Sequence, residues 1–244
     1  MRYAILADIH ANLAAFNAVL DDIISQGGVE KIWCLGDVVG YGPDPHQCIE
    51  LLNQTEHVCV AGNHDWAAIG QVDTAEFNPD AATACRWTSA QLIRTDIEYL
   101  AKLPLAIEEG DFTLVHGSPR DPIWEYLVST GIAKENFAYF KTPFCLVGHS
   151  HIPLVFSHDD SDTPSSSQFL PDIKLTLGRN RLIINPGGVG QPRDGDPRAS
   201  YALYDSDNGI ITLRRVTYDI RATQNKMMAQ GLPVRLVVRL SSGT

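Results

Sequence analysis

One local pattern constrains this chain more than any other: short apolar runs that stop abruptly at glycine, aspartate or histidine. Tyr3 to Ala7 stops at Asp8, Lys31 to Leu35 at Gly36-Asp37, and His57 to Ala61 at Gly62-Asn63-His64-Asp65. Phe112 to His116 ends on its own histidine, and Phe144 to Val147 stops at Gly148-His149-Ser150-His151. Runs this short, bounded by turn residues, predict strands. Between the first two lies Leu13 to Ile24, apolar at Leu13, Phe16, Val19, Leu20, Ile23 and Ile24 and closed by Gly27-Gly28, which is the spacing and stop signal of a helix. A strand, a helix and a strand in that order imply parallel pairing, because the crossover is too long for a hairpin.

The rest of the chain continues in mixed fashion. Pro45 to Asn53 is predicted helical, and residues 66–103 mostly so, with a break at Asn78-Pro79. Leu105 to Glu108 adds a strand, residues 123–140 read as helix, and strands return at Ile173 to Leu177, Leu182 to Ile184, Ala199 to Tyr204 and Ile210 to Val216. Ile220 to Leu240 is predicted helical with an interruption near Gly231 to Pro233. The polar stretch at about 158–168 is expected to be a solvated hairpin tip or flexible loop. There is no internal repeat and no linker-like segment, so the expectation is a single layered α/β (α+β) domain over residues 1–244.

Composition narrows the function. The formal charge of -10 argues against a broad nucleic-acid surface or binding to anionic lipid, both of which need clustered Lys and Arg. A local phosphate site stays open, since a metal ion brings charge that composition does not count. The apolar runs are far shorter than the roughly 20 residues of a membrane helix. Cys34, Cys59 and Cys145 lie inside strand-like runs and are expected as buried thiols. With an odd cysteine total and no signal-peptide pattern, the expected location is cytoplasmic.

The strand ends carry metal-ligand side chains: Asp8 and His10, Asp37, Asn63 and His64, His116, His149 and His151. Ligands of open α/β sheets gather beyond the carboxyl ends of the strands, so these groups are expected on one edge. Asp8/His10 and His149/His151 are spaced i, i+2, which on an extended chain places both members on one face. Gly36, Gly62 and Gly148 beside them permit sharp turns and close approach. His46, His57 and His158 fall outside the pattern.

The ordered set Asp8-x-His10, Gly36-Asp37, Gly62-Asn63-His64-Asp65, His116-Gly117 and Gly148-His149-Ser150-His151 resembles the calcineurin-like metallophosphoesterase superfamily, and Asn185 to Arg193 resembles the region after the last histidine motif in its small bacterial and archaeal members. The resemblance implies a two-sheet β-sandwich flanked by helices and a dinuclear metal centre. It assigns Asp8, His10 and His151 to one metal and Asn63, His116 and His149 to the other, with Asp37 bridging. It implies a phosphoesterase, acting most naturally on small phosphodiesters or nucleotides, in which a hydroxide between the metals attacks phosphorus. Oxygen and imidazole donors suit Mn²⁺, with Fe or Zn²⁺ as alternatives. His64 is left unligated as a catalytic donor to the leaving group or to the charged transition state, and Asn12 and Arg193 are candidate phosphate contacts. Alternatives are a phosphomonoesterase, a nucleotide or dinucleoside polyphosphate hydrolase, or a protein-binding scaffold such as the retromer subunit with this fold.

The sequence departs from the protein phosphatases at Gly40, where they carry an acid supporting the histidine, and at Tyr41, where they carry an arginine. Residues 66–103 are the expected specificity insert, with Phe77, Arg86, Trp87 and Arg94 as stacking or phosphate candidates and packing as the competing reading for Trp87.

Overall fold

The computed structural model describes residues 1–159 and 163–244. The chain runs β1 (Arg2–Leu6), α1 (Leu13–Ser25), β2 (Lys31–Cys34), α2 (Pro45–Asn53), β3 (His57–Cys59) and α3 (Asn63–Ala68). A single 3₁₀ turn (Thr74–Glu76) leads to α4 (Pro79–Gln91), α5 (Arg94–Leu100), β4 (Ala106–Glu109), β5 (Phe112–Val115), α6 (Thr130–Asn136), β6 (Phe144–Leu146), β7 (Pro153–His158) and β8 (Ser165–Gln168). The remainder is β9 (Lys174–Thr176), β10 (Arg181–Pro186), β11 (Ala199–Asp205), β12 (Ile210–Val216), α7 (Ile220–Ala229) and α8 (Val234–Arg239).

These strands form two sheets, ordered β3-β2-β1-β11-β12-β9 and β4-β5-β6-β10-β7-β8. β1, β2 and β3 are mutually parallel, as the helical crossovers require. β5, β6 and β10 are the parallel block of the second sheet. Both faces of β1 and β2 are covered, so their alternation sorts one apolar residue from another rather than apolar from polar. Ala4, Leu6, Ile32 and Cys34 pack under α1 and α2 with Phe16, Val19 and Ile49. Ile5, Trp33 and Leu35 point the other way, into a sandwich core shared with Phe112, Leu114, Leu146 and Ile184 of the second sheet. Outside that sheet, Val115, Cys145 and Ile183 pack against Ala133 of α6 and Phe137 just after it. The result is the expected helix-flanked sandwich, with the carboxyl ends of six parallel strands at one edge.

One expectation needs correction. Residues 123–140 are helical only over Thr130–Asn136. Ahead of it Asp121 Oδ1 closes a local turn by accepting from the amides of Ile123 and Trp124, and Ser129 caps α6 by accepting from Ile132 N–H at 3.3 Å, which sets where the helix starts. The polar stretch at 158–168, expected as a solvated hairpin tip or flexible loop, lies across a hairpin: β7 extends to His158, and the exposed polar run Ser165–Gln168 pairs antiparallel with it. Residues 160–162 lie outside the described residues. All five cysteines are buried and free. No helix among the described residues is long and apolar enough to cross a membrane.

Candidate metal centre

The loops leaving β1, β2, β3, β5 and β6 meet between the two sheets and are stitched by backbone bonds. Asp8 N–H donates to Gly36 O at 3.1 Å, His10 N–H to Asp37 O at 2.9 Å, and Gly148 N–H to His116 O at 2.8 Å. Asp65 organises the turn: its carboxylate accepts from the amides of Asp37 (2.8 Å), Gly62 (3.0 Å) and Val39 (3.1 Å).

The reason the ligand-type residues converge is not extended geometry. Asp8 (φ 57°), His10 (48°), Asp37 (54°), His149 (61°) and His151 (60°) all sit in the left-handed region. Each such residue costs about 1–3 kcal/mol, and Asp and His tolerate the region better than most. The tight turns swing i and i+2 side chains inward together. Asn63 and His64 likewise are not on a strand but open α3.

Two triads result, Asp8-His10-His151 and Asp37-His116-His149, each with donor atoms within 4.8 Å of one another and every member buried. Asn63 joins the second triad, its Oδ1 3.1 Å from His116 Nε2. Asp37 Oδ2 lies between the sets, 3.3 Å from His116 Nε2 and 3.6 Å from His10 Nε2. Hydrogen-bond partners fix the histidine tautomers. The Nδ1–H groups of His10, His116 and His151 face the carbonyls of Val39 (3.1 Å), Leu35 (2.8 Å) and Gln191 (2.5 Å), which turns each Nε2 into the centre. His149 is reversed: its Nε2 faces Trp124 O at 3.2 Å, and Nδ1 points inward.

The donor set fits a pair of divalent ions. His10 Nε2 and His151 Nε2 are 3.2 Å apart, as are His116 Nε2 and His149 Nδ1. Neighbouring donors on one ion, with bonds of about 2.0–2.2 Å, stand roughly 3–3.5 Å apart. In the first pair both ring protons are spent on carbonyls, so two lone pairs face each other, which a shared cation makes favourable. Asp8 Oδ2 and Asp37 Oδ2 are buried with no hydrogen-bond partner. The titration of the cluster reflects the same need for positive charge. Burial works to raise the Asp37 carboxyl, yet His116 and His64 outweigh it and hold it well below the usual range. Burial pushes Asp8 up to about 7. His116 rises to about 9 although burial opposes its proton, because Asp37 and Asp8 hold it.

A calcineurin-like phosphoesterase superfamily domain model matches residues 1–209. The chain belongs to this superfamily. It is 40% identical to an uncharacterized protein of Methanocaldococcus jannaschii over 98% of this chain and 97% of that one. A metallophosphoesterase from Sphaerobacter thermophilus has 48% identity and a TM-score of 0.90, covering 100% and 99% of the two chains. A hypothetical protein from Pyrococcus horikoshii, at 21% identity, has the same fold with a TM-score of 0.81 over 100% and 98%. Among calcineurin-like phosphoesterases this chain is thus a hydrolase-family member with a candidate site for two divalent metals.

The remaining expected site residues separate. His64 lies at the edge of the centre, its ring 5.0 Å from that of His10, 4.2 Å from Tyr41 and 4.5 Å from Phe77. Its Nδ1 is buried without a partner, and burial lowers its pKa to about 4. The Asp65 carboxylate is taken up by the amides of Asp37, Val39 and Gly62. A Cβ on Gly40 would stand 2.6 Å from His64 Nδ1, so the ring occupies the space a side chain would need. Arg193 is at the mouth: its Nη2 donates to Gln191 Oε1 (3.1 Å) and Tyr41 Oη (3.4 Å), while its Nε is buried and unpartnered. Asn12, expected as a phosphate contact, is committed elsewhere. Its Oδ1 caps α1 and accepts from Thr223, and its Nδ2 donates to Gly190 O and Tyr218 Oη.

His46, His57 and His158 stay outside, contacting Asp96, Tyr99 and Phe137 respectively. Of the 66–103 insert, Phe77 reaches the centre. Trp87 packs against the α8 cluster, Arg94 pairs with Glu98 and Arg86 bonds Thr83. Sequence reasoning missed Trp124 and Tyr126, whose segment it read as helix. Tyr126 stacks on His149 at 3.9 Å. Pro122 and the capping Ser129 around them were the available signals.

Proposed function

We propose that this protein hydrolyses phosphodiesters at a dinuclear metal centre, with Asp8, His10 and His151 holding one ion, Asn63, His116 and His149 the other, and Asp37 bridging. The observation that carries this reading is the buried, unpartnered Asp37 Oδ2 facing both histidine sets. When bound, two divalent ions clamp phosphoryl oxygens and lower the pKa of a water to supply the nucleophile. The protein's own groups do the rest. Backbone carbonyls hold one ring nitrogen of each of the four imidazoles and so turn the other into the centre. Arg193, with a free buried N–H, is assigned to a non-bridging phosphate oxygen, since guanidinium matches phosphate geometry. His64, beside both sets but outside them, is assigned to the leaving oxygen.

A diester with an organic group on each side suits this mouth, because Arg193 rests against Tyr41 and the rim carries Phe77, Trp124 and Tyr126. Phosphomonoesters and dinucleoside polyphosphates are the competing substrates. The full set of seven donors, with His64, speaks against a pure binding scaffold. The test is turnover of bis(p-nitrophenyl) phosphate. Chelation should abolish it, and Mn²⁺ should restore it better than Mg²⁺, because imidazole donors disfavour the harder ion. Full activity in a sample shown by elemental analysis to be metal-free would overturn the proposal.

A further inference from the structure

We infer that the rim of the centre is a stacking slot for a nucleobase, so that the diesters this protein cleaves carry a nucleoside; the inference rests on the phosphoesterase reading above. Three rings from two distant segments frame the mouth. Phe77, just ahead of α4, lies over His64 at 4.5 Å with a 32° tilt. Trp124 meets Phe77 edge-on, 5.5 Å away at 75°. On the other side Tyr126 lies flat on His149, at 3.9 Å and 26°.

The loop that carries two of these rings is anchored so as to present them. Glu125, between Trp124 and Tyr126, is bonded back into the fold: it accepts from Ser118 Oγ (2.6 Å) and Asn136 Nδ2 (2.7 Å) and pairs with Arg120. With the middle side chain tied inward on one side, its two neighbours are left to meet Phe77 and His149 respectively.

Packing accounts for one of these rings only: Phe77 packs against the apolar cluster of α4, α7 and α8, whereas Trp124 and Tyr126 belong to none of the four apolar cores. Tyr126 is 46% exposed, although large aromatic side chains are among the most strongly driven to bury. Half-exposed aromatic faces grouped beside a phosphate-directed arginine are what nucleotide recognition uses, since every base offers a π-face. Arg193 donates to Tyr41 Oη at 3.4 Å, and Tyr41 lies against both His10 and His64, which sets the phosphate contact beside the centre. A nucleoside phosphodiester spans that order of groups: phosphorus over the donors, one oxygen on Arg193, and the base among the rings.

The experiment compares two diesters that release the same p-nitrophenolate, thymidine 5′-(p-nitrophenyl) phosphate and methyl p-nitrophenyl phosphate, with the full chain in Mn²⁺. Stacking of one base is expected to raise kcat/KM for the thymidine ester about ten-fold over the methyl ester. In Trp124→Ala and in Phe77→Ala that preference should fall to within about three-fold of unity. A second readout needs no turnover: thymidine should quench the intrinsic tryptophan fluorescence of the wild-type protein, and the quench should vanish in Trp124→Phe. Equal rates on the two esters without a quench would overturn the slot and leave the phosphoesterase reading standing. A preference that survives in both alanine variants would also overturn it. A quench without hydrolysis of either ester would support the slot and refute the phosphoesterase reading.

Discussion

Substituting Gly62 by alanine tests how the bridging position is set. Gly62 itself has φ -100° and ψ 169°, a conformation open to alanine, so any cost is steric. An added Cβ would stand 2.0 Å from Asp37 Oδ1, 2.4 Å from Asp37 N and 2.7 Å from Asp37 Cγ. Restoring ordinary contact at about 3.4 Å moves the carboxylate by roughly 1.4 Å, against a tolerance of roughly 0.2 Å for metal ligands. Asp37 cannot rotate to escape, because its Oδ1 accepts from His64 N–H at 2.8 Å and its own amide is held by Asp65. The displaced Oδ2 would lose its place between His116 and His10. Gly62→Ala should therefore bind fewer than two metals per chain, lose at least about 10²-fold in turnover, and unfold about 1–3 kcal/mol more easily. Elemental analysis of Mn²⁺-loaded protein, rates on bis(p-nitrophenyl) phosphate and urea titration measure the three effects. A folded variant with two metals per chain and near-normal turnover would refute the argument that contact with Gly62 fixes the bridge.

Asp37→Asn removes the charge shared by both donor sets and should lower metal content and rate together; two bound metals with normal turnover would reject the bridge. His64→Asn removes no ligand, so both metals should stay while the rate falls by about 10²–10⁴-fold. That loss should be largest for poor leaving groups; equal losses across a leaving-group series would move His64 from the departing oxygen to the phosphoryl charge. Asp22 accepts from Tyr201 Oη (2.7 Å) and from Arg214 Nε and Nη2 (3.2 Å each), tying α1 to β11 and β12. Burial works to raise its pKa, but these bonds outweigh it and lower the carboxyl below its ordinary value. The charged form is thus favoured by folding, and that stability is complete above the unfolded value of about 3.9 and lost as pH falls through the lower folded value. Asp22→Asn should cost about 1–3 kcal/mol at pH 7 in urea unfolding, with the gap to wild type closing below about pH 4; a gap constant across that range would contradict the assignment.

The strand ends were legible because a buried strand of a two-sided sheet must be apolar and must stop at a residue that can turn. Asp8, Gly36-Asp37, Gly62-Asn63, His116 and Gly148-His149 therefore mark both the end of the sandwich and the start of the centre. The helices at Leu13–Ser25 and Pro45–Asn53 follow equally from local spacing and stop signals. Local pattern was misleading where the helix start is set by a cap. Residues 123–129 have helical apolar spacing, yet Asp121 closes only a turn there and the helix begins after Ser129, which caps Ile132 N–H. Asn12 looked like a phosphate contact from its place after Asp8 and His10, but its partners lie in the loop after β10 and on α7, distant in sequence.

The sequence by itself therefore determined the chemical inventory and the edge of the fold at which it collects. It did not determine which atom of each group faces the centre. His149 presents Nδ1 because Trp124 O, from a different loop, takes its Nε2 proton. His64 has no carboxylate partner because Asp65 is spent on three backbone amides and Gly40 leaves room only for the ring itself. The left-handed turns at five ligand positions persist because long-range backbone bonds hold them against their local cost. Residue type and strand ends are written in nearest-neighbour pattern, whereas tautomer, ring orientation and strained φ are set by partners that only the packed sandwich brings within hydrogen-bond range.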